Sequence, residues 1–263
     1  MNGFELHNYK TLSASAVNLF AANQPMWVME KLLKIRSPVG ASAHRGSAAE
    51  SGIVHGLLNP AASIEECQEI AVAEFDRLTA LSADPRRTKE RAGVPLIVAS
   101  AIPELRLYGV PDQIQAKVER EIPGVPVPFI GYIDLGWTEH GIILDLKSSL
   151  RVPSEISEPH ARQVSIYVHG TNHEGRVAYC GTNKMSVFKL ENADQHVRDI
   201  AAIARIMERF LSMSADPAVL ASIVCPDFSS FYWSDPSTLA KGRETFGFNH
   251  QVALSAPIET DSL

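Results

Sequence analysis

Between Ser13 and Lys34 apolar residues return at helical spacing (Val17, Phe20, Trp27, Val28, Leu32). Ser13 or Ser15 stands where an N-cap belongs, and Pro25 divides the stretch into two helices. The same period predicts a helix from about Ala43 to Leu58 and another from Ser63 to Leu81, with Ile64, Ile70, Phe75 and Leu78 as the inward stripe. A further helix starts after Pro85, carrying the basic run Asp84 to Arg91. Its Arg86, Arg87, Lys89 and Arg91 read as a solvated helix face. The opening third of the chain is helical.

At Leu105 the period shortens. Ile114 to Glu121 alternates, Gly124 to Pro128 is a turn-rich link, and Pro128–Trp137 pairs with Gly141–Ser148 across the polar turn Thr138–His140. A helix over His160–Gly170 follows, then strands over Arg176–Thr182 and Ser186–Leu190, then a long amphipathic helix over Ala193–Met213. From Ser234 onward Ser, Pro, Thr and Gly predominate, which predicts a loop or disordered tail over residues 234–263. No linker interrupts Met1 to Pro226 and no repeat is present. The expectation is a single α/β domain over residues 1–233, with a central mixed sheet flanked by helices and a helical N-terminal third.

Composition narrows the function classes. Of 263 residues 45% are hydrophobic and 21% charged, enough to build a core and too apolar for a disordered chain. The formal charge of −6 disfavours a protein that coats nucleic acid through bulk positive charge, and leaves open an enzyme that grips DNA in a local basic groove. Cys67, Cys180 and Cys225 lie far apart, without the spacing of a zinc site or disulfide framework, and read as reduced thiols of a cytoplasmic protein. Met1 to Lys10 has no signal-like apolar core, and no apolar run is long enough to span a membrane.

The candidate chemistry lies in the run Phe129 to Ser149, FIGYIDLGWTEHGIILDLKSS. Side chains alternate along a strand, so Asp145 and Lys147 share a face, and the hairpin brings Asp134 alongside. Two carboxylates and a lysine among Ile, Leu and Trp are costly to bury unless a cation neutralises them. Mg²⁺ sites are built this way, with a lysine placed to hold or deprotonate a water. About one acidic-x-Lys triplet is expected by chance in a chain of this composition, and Asp145-Leu146-Lys147 is the single one present. Taken alone, Asp134 could equally be a surface residue near a turn, and Asp145–Lys147 a surface ion pair worth under about 1 kcal/mol.

Two further segments add weight: Arg45 to His55 (RGSAAESGIVH) on the second predicted helix, and Gln163 to Tyr167 (QVSIY) on the helix after the DLK strand. With GYIDL, LDLKSS and the opening LSASAVNLFAANQPMW, they stand in the order in which the PD-(D/E)XK nuclease superfamily carries its motifs. From about Ser13 to Thr182 the chain resembles that superfamily, in particular its RecB-like and phage lambda-type exonuclease branches. The resemblance implies metal-side roles for Glu50, Asp134 and Asp145, with the Leu146 carbonyl beside them, and a catalytic role for Lys147. It implies roles near the active site or DNA for Gln163, Tyr167 and Ser148. Arg45 could bind a DNA phosphate or only cap its helix. His55 is the candidate for the histidine that some RecB-like members place on this helix as a metal ligand, but it stands five residues from Glu50. Their directions differ by roughly 140°, so Glu50 is preferred. His44, His160, His169 and His173 have no carboxylate at ligand spacing and read as solvated.

The resemblance implies a restriction-endonuclease-like core and a Mg²⁺- or Mn²⁺-dependent deoxyribonuclease. An exonuclease of recombination or repair is favoured, possible phage origin included. DNA is the partner; a homo-oligomer and a single-strand annealing protein or recombinase follow by analogy. No iron–sulfur cluster is expected, because three scattered cysteines cannot supply four thiolates. The alternatives are a catalytically silent DNA-binding nuclease subunit and a structure-selective or adaptation-type endonuclease on the same fold.

Overall fold

The computed structural model describes residues 1–248; the last part of the expected tail, residues 249–263, lies outside the described residues. The helical first part comprises α1 (Gly3–Leu6), α2 (Ala14–Ala22), α3 (Gln24–Trp27, running into one π turn over Val28–Leu32), α4 (Ala41–Leu58), α5 (Ile64–Leu78) and α6 (Arg87–Leu105). Capping explains the boundaries. Ser13 Oγ accepts the Ala16 N–H at the start of α2, and Asn23 Oδ1 accepts the Met26 N–H where Pro25 enters the first turn of α3. Ser63 caps α5 in the same way.

The inward face of α5 differs from the expected stripe. Cys67, Ala71 and Phe75 are its buried residues, while Ile64, Ile70 and Leu78 are half-buried. Small residues win there because α4 comes very close: a Cβ on Gly52 would stand 2.5 Å from the Cys67 carbonyl oxygen, and one on Gly56 2.9 Å from Cys67 Sγ. Gly52 and Gly56 thus let α4 nest against α5. The basic run before and within α6 is spent on neighbouring acids, with Arg86 on Asp84 and both Arg87 and Arg91 on Asp76.

Five strands follow: β1 (Gln113–Arg120), β2 (Phe129–Trp137) and β3 (Ile142–Ser148), then β4 (Glu174–Cys180) and β5 (Met185–Lys189) after α7 (Glu158–Val168). They form one mixed sheet in sequence order, antiparallel throughout except for β3–β4, which is parallel and joined through α7. The fold is α/β, a five-stranded mixed sheet flanked by helices. One face of β3 and β4 (Leu144, Ala178, Cys180) packs on α4, α5 and α6, and the other (Ile143, Val177, Tyr179) on α7. A third cluster joins α2, α3 and α8 (Ala193–Ser212), whose stripe Val197, Ile200, Ala204, Met207 and Leu211 is buried.

After α9 (Pro217–Ser222), the segment expected to be loop or disordered from Ser234 instead contains α10 (Pro236–Thr245), capped by Asp235. Its sequence has no apolar stripe. What holds it is close contact with Trp233: a Cβ on Gly242 would lie 2.3 Å from that indole, which is buried with Met26 and Met29. Among the described residues no helix is long and apolar enough to cross a membrane.

Candidate active site

The site forms where β2 and β3 part. Their ladder runs from Trp137↔Ile142 to Leu135↔Leu144 and stops. The next backbone donor, the Leu146 N–H, goes to the Asp134 carboxylate (Oδ2, 2.7 Å). Asp134 therefore lies in the gap between the strands, where a ladder hydrogen bond is missing, and does not simply share a face with Asp145 and Lys147 as the hairpin alone implied.

Sheet alternation inverts at the same level. Ile114 packs against the α4–α6 cluster but Ala116 against the α7 cluster, and Leu135 and Ile133 divide in the same way on β2. In a regular strand residues two apart share a face. The inversion centres on Gln115, which has φ +48° and, like Asp134 opposite it, drops out of an otherwise continuous β1–β2 register. It allows side chains from both sides of the sheet to meet at one edge: Glu50 from α4, Asp134 in the gap, and Asp145 and Lys147 on the α7 side.

Asp145 is fully buried. Its Oδ2 lies 2.6 Å from Lys147 Nζ, and its Oδ1 accepts from Gln163 Nε2 at 3.0 Å. Gln163 also donates to the Tyr167 hydroxyl at 2.7 Å. Tyr167 itself is buried; a Cβ on Gly131 would meet its ring at 2.4 Å, which accounts for glycine in GYIDL. The Gln-x-x-x-Tyr pair thus orients Asp145, and Tyr167 is not placed to contact DNA.

Glu50 and Asp134 share a donor that the residue pattern does not reveal: the Gln115 amide reaches Glu50 Oε1 and, at 2.9 Å, Asp134 Oδ1. Carboxylates only accept, so the amide nitrogen faces them both. Nothing in the alternating IQAKVERE run distinguishes Gln115 from a solvent-facing strand residue.

Electrostatics reflect burial first, and then the gathering of three carboxylates around one lysine. Burial, then the Asp134 charge, pushes Glu50 up to about 7. Burial also raises Asp134 and Asp145 above the ordinary carboxylate range, against the pull of Lys147. Burial works against the Lys147 charge, yet Asp145, Asp134 and Glu50 together raise its proton affinity, so it is an ammonium. His160, expected to be solvated, is half-buried. Its Nδ1 is 2.7 Å from the Tyr179 hydroxyl, and burial with the Lys147 charge lowers it to about 4.

Two expected site residues belong elsewhere. Arg45 is buried, paired with buried Glu90 of α6, and donates to the Ser148 carbonyl at 3.3 Å. It anchors the end of β3 to the helices and is inaccessible to a phosphate. Ser148 is held in that contact, its hydroxyl 3.2 Å from where a Gly46 Cβ would stand. His55 points away from the carboxylates; its Nε2 lies 3.0 Å from Glu66 of α5, as the helical rotation from Glu50 requires.

Among the described residues, one group of three His, Cys, Asp or Glu side chains has ligand atoms all within 4.8 Å of one another: Glu158, His196 and Asp199, where α7 meets α8. Glu50, Asp134 and Asp145 are spaced more widely, with the Gln115 amide between the first two.

No known family profile matches the chain, and no curated protein matches it. Among solved structures the chain is similar to "Crystal structure of SSO0001", at 14% identity over 77% of this chain and 94% of that one, with a TM-score of 0.34, a likeness too low to carry an argument.

Proposed function

We propose that this chain is a divalent-metal-dependent deoxyribonuclease of the cytoplasm that hydrolyses DNA phosphodiesters, with an exonuclease of recombination or repair as the favoured form. One observation carries the reading: Glu50, Asp134 and Asp145 converge on a single lysine at the parted end of two strands, beside the exposed Gln115. Structural ion pairs balance their charges, and this cluster does not.

The donor set suits a hard dication. All three donors are carboxylates; the buried Asp145 Oδ2 contacts Lys147 Nζ at 2.6 Å in a geometry that is not a well-aligned hydrogen bond. The ligand atoms of the three do not all lie within 4.8 Å of one another, so the carboxylates would draw together around an ion. Glu50, Asp134, Asp145 and the Leu146 carbonyl would hold Mg²⁺ or Mn²⁺, which when bound lowers the pKa of a water and stabilises charge on a phosphoryl group.

The chain's own groups define the remaining roles. Lys147, held as an ammonium by three carboxylates, donates hydrogen bonds to a water or phosphate oxygen; its raised proton affinity makes it a poor base. Gln163 keeps Asp145 turned toward Lys147, and Leu146 N–H keeps Asp134 in the gap.

The test is digestion of end-labelled linear and circular duplex in Mg²⁺, Mn²⁺, Ca²⁺ and EDTA. Cleavage in Mg²⁺ or Mn²⁺ and none in Ca²⁺ or EDTA is expected, with linear DNA preferred. Full activity in EDTA, or none in any metal, would sink the reading.

A further inference from the structure

Gln115 is an L-residue with φ +48° in the middle of a strand. That left-handed conformation costs roughly 1–2 kcal/mol at a residue with a Cβ. Gln115 and Asp134 are also absent from a ladder that otherwise pairs Gln113 through Arg120. Neither feature helps the sheet. What they achieve is local: the inverted strand turns the Gln115 amide to the solvent mouth of the site, where its nitrogen lies between Glu50 and Asp134. The two carboxylates come from elements with no other hydrogen bond between them, α4 on one side of the sheet and β2 within it. Without a bridging donor they would repel. With it, each has one oxygen fixed, and Asp134 has both, the second by the Leu146 N–H.

We propose that Gln115 is a positioning residue for the cation site. Its strained backbone serves to place one amide that sets the separation and orientation of Glu50 and Asp134 before an ion arrives. The proposal rests on the metal-dependent reading above. Groups that orient metal-binding side chains typically matter by 10- to 100-fold in affinity.

Gln115→Gly separates this role from a merely structural one. Glycine adopts φ +48° without strain, so the variant keeps the strand conformation and loses the side chain with its amide. Mn²⁺ titration followed by electron paramagnetic resonance, with urea unfolding of the same samples, reads both properties without assaying cleavage. The expected result is a variant at least as stable as the wild type that binds Mn²⁺ about 10- to 100-fold more weakly. In a Glu50→Gln background, where Gln115 no longer bridges two charges, the same change should weaken binding by a smaller factor. Gln115→Gly binding Mn²⁺ as tightly as the wild type overturns the proposal and leaves the metal reading intact. A wild-type protein that binds no Mn²⁺ overturns both. Equal losses in the Glu50→Gln and wild-type backgrounds also overturn the proposal, because Gln115 would then act independently of Glu50.

Discussion

Two buried ionic groups flank the end of β3, and they differ in one respect. Arg45 and Glu90 form a one-to-one pair, both nearly inaccessible, with the arginine also bonded to the Ser148 carbonyl. A few residues away Lys147 faces three carboxylates, all with raised proton affinity. The first group is neutral in sum and ties helix to strand. The second carries an excess that the fold does not relieve. Burial of charge alone therefore does not mark a site; imbalance does, because a protein gains no stability by gathering like charges in a low dielectric.

The largest effect should come from breaking the balanced pair. Arg45→Met or Glu90→Gln leaves one buried group without its partner and is expected to cost about 3–5 kcal/mol in urea unfolding, while Arg45→Met with Glu90→Leu recovers most of it. If either single change proves silent, the pair is not the anchor described.

On the proposed nuclease reading, the single positive charge of the unbalanced group acts in the chemistry. Lys147→Ala is expected to slow single-turnover cleavage by a factor on the order of 10², with Mn²⁺ still bound. A wild-type rate would reduce the Asp145–Lys147 contact to an ion pair.

Burial of Glu50, and then the Asp134 charge beside it, should also be visible as a pH dependence of stability. Glu50 titrates at about 7 in the folded protein against an ordinary 4.5. Below about 4.5 it is protonated in both states. Between about 4.5 and 7 only the folded form holds the proton, so stability falls as pH rises, and above 7 the loss is complete. His160, lowered to about 4, works in the opposite direction over part of that range. The measurement is therefore the difference between wild type and Glu50→Gln, which should decline by roughly 1–3 kcal/mol from pH 5 to 8 and stay flat in saturating Mn²⁺. A flat difference without metal would mean that burial and the Asp134 charge do not raise Glu50 in the folded protein.

The smallest effect belongs to His55, half-exposed beside Glu66. His55→Ala should leave Mn²⁺ affinity within twofold and cost no more than about 0.5 kcal/mol, as for other exposed ion pairs. A tenfold loss of Mn²⁺ binding would return it to the metal set.

Much of the fold and part of the site are legible in the order of residues, and the reason is locality. Helix and strand periods, the Ser13 cap, and the alternation that puts Asp145 and Lys147 on one side of β3 depend on residues a few positions apart. The angular spacing of one helix sets Glu50 ahead of His55, but what turns His55 away is its tertiary contact with Glu66 of α5. The α10 helix escapes because its hold on the fold is a distant indole and not a stripe of its own.

The amino-acid sequence by itself determined the order of elements from α2 to α8, the hairpin carrying Asp134, Asp145 and Lys147, and the helix carrying Gln163 four residues before Tyr167. Tertiary structure alone decided that Arg45 is spent on Glu90, that Asp134 fills a gap in the ladder, and that Gln115 bridges two carboxylates from different elements. Those outcomes depend on which helix covers which face of the sheet and on one inverted strand residue. A periodic pattern reports the direction of a side chain from its own strand or helix, and not the partner it meets across the sheet.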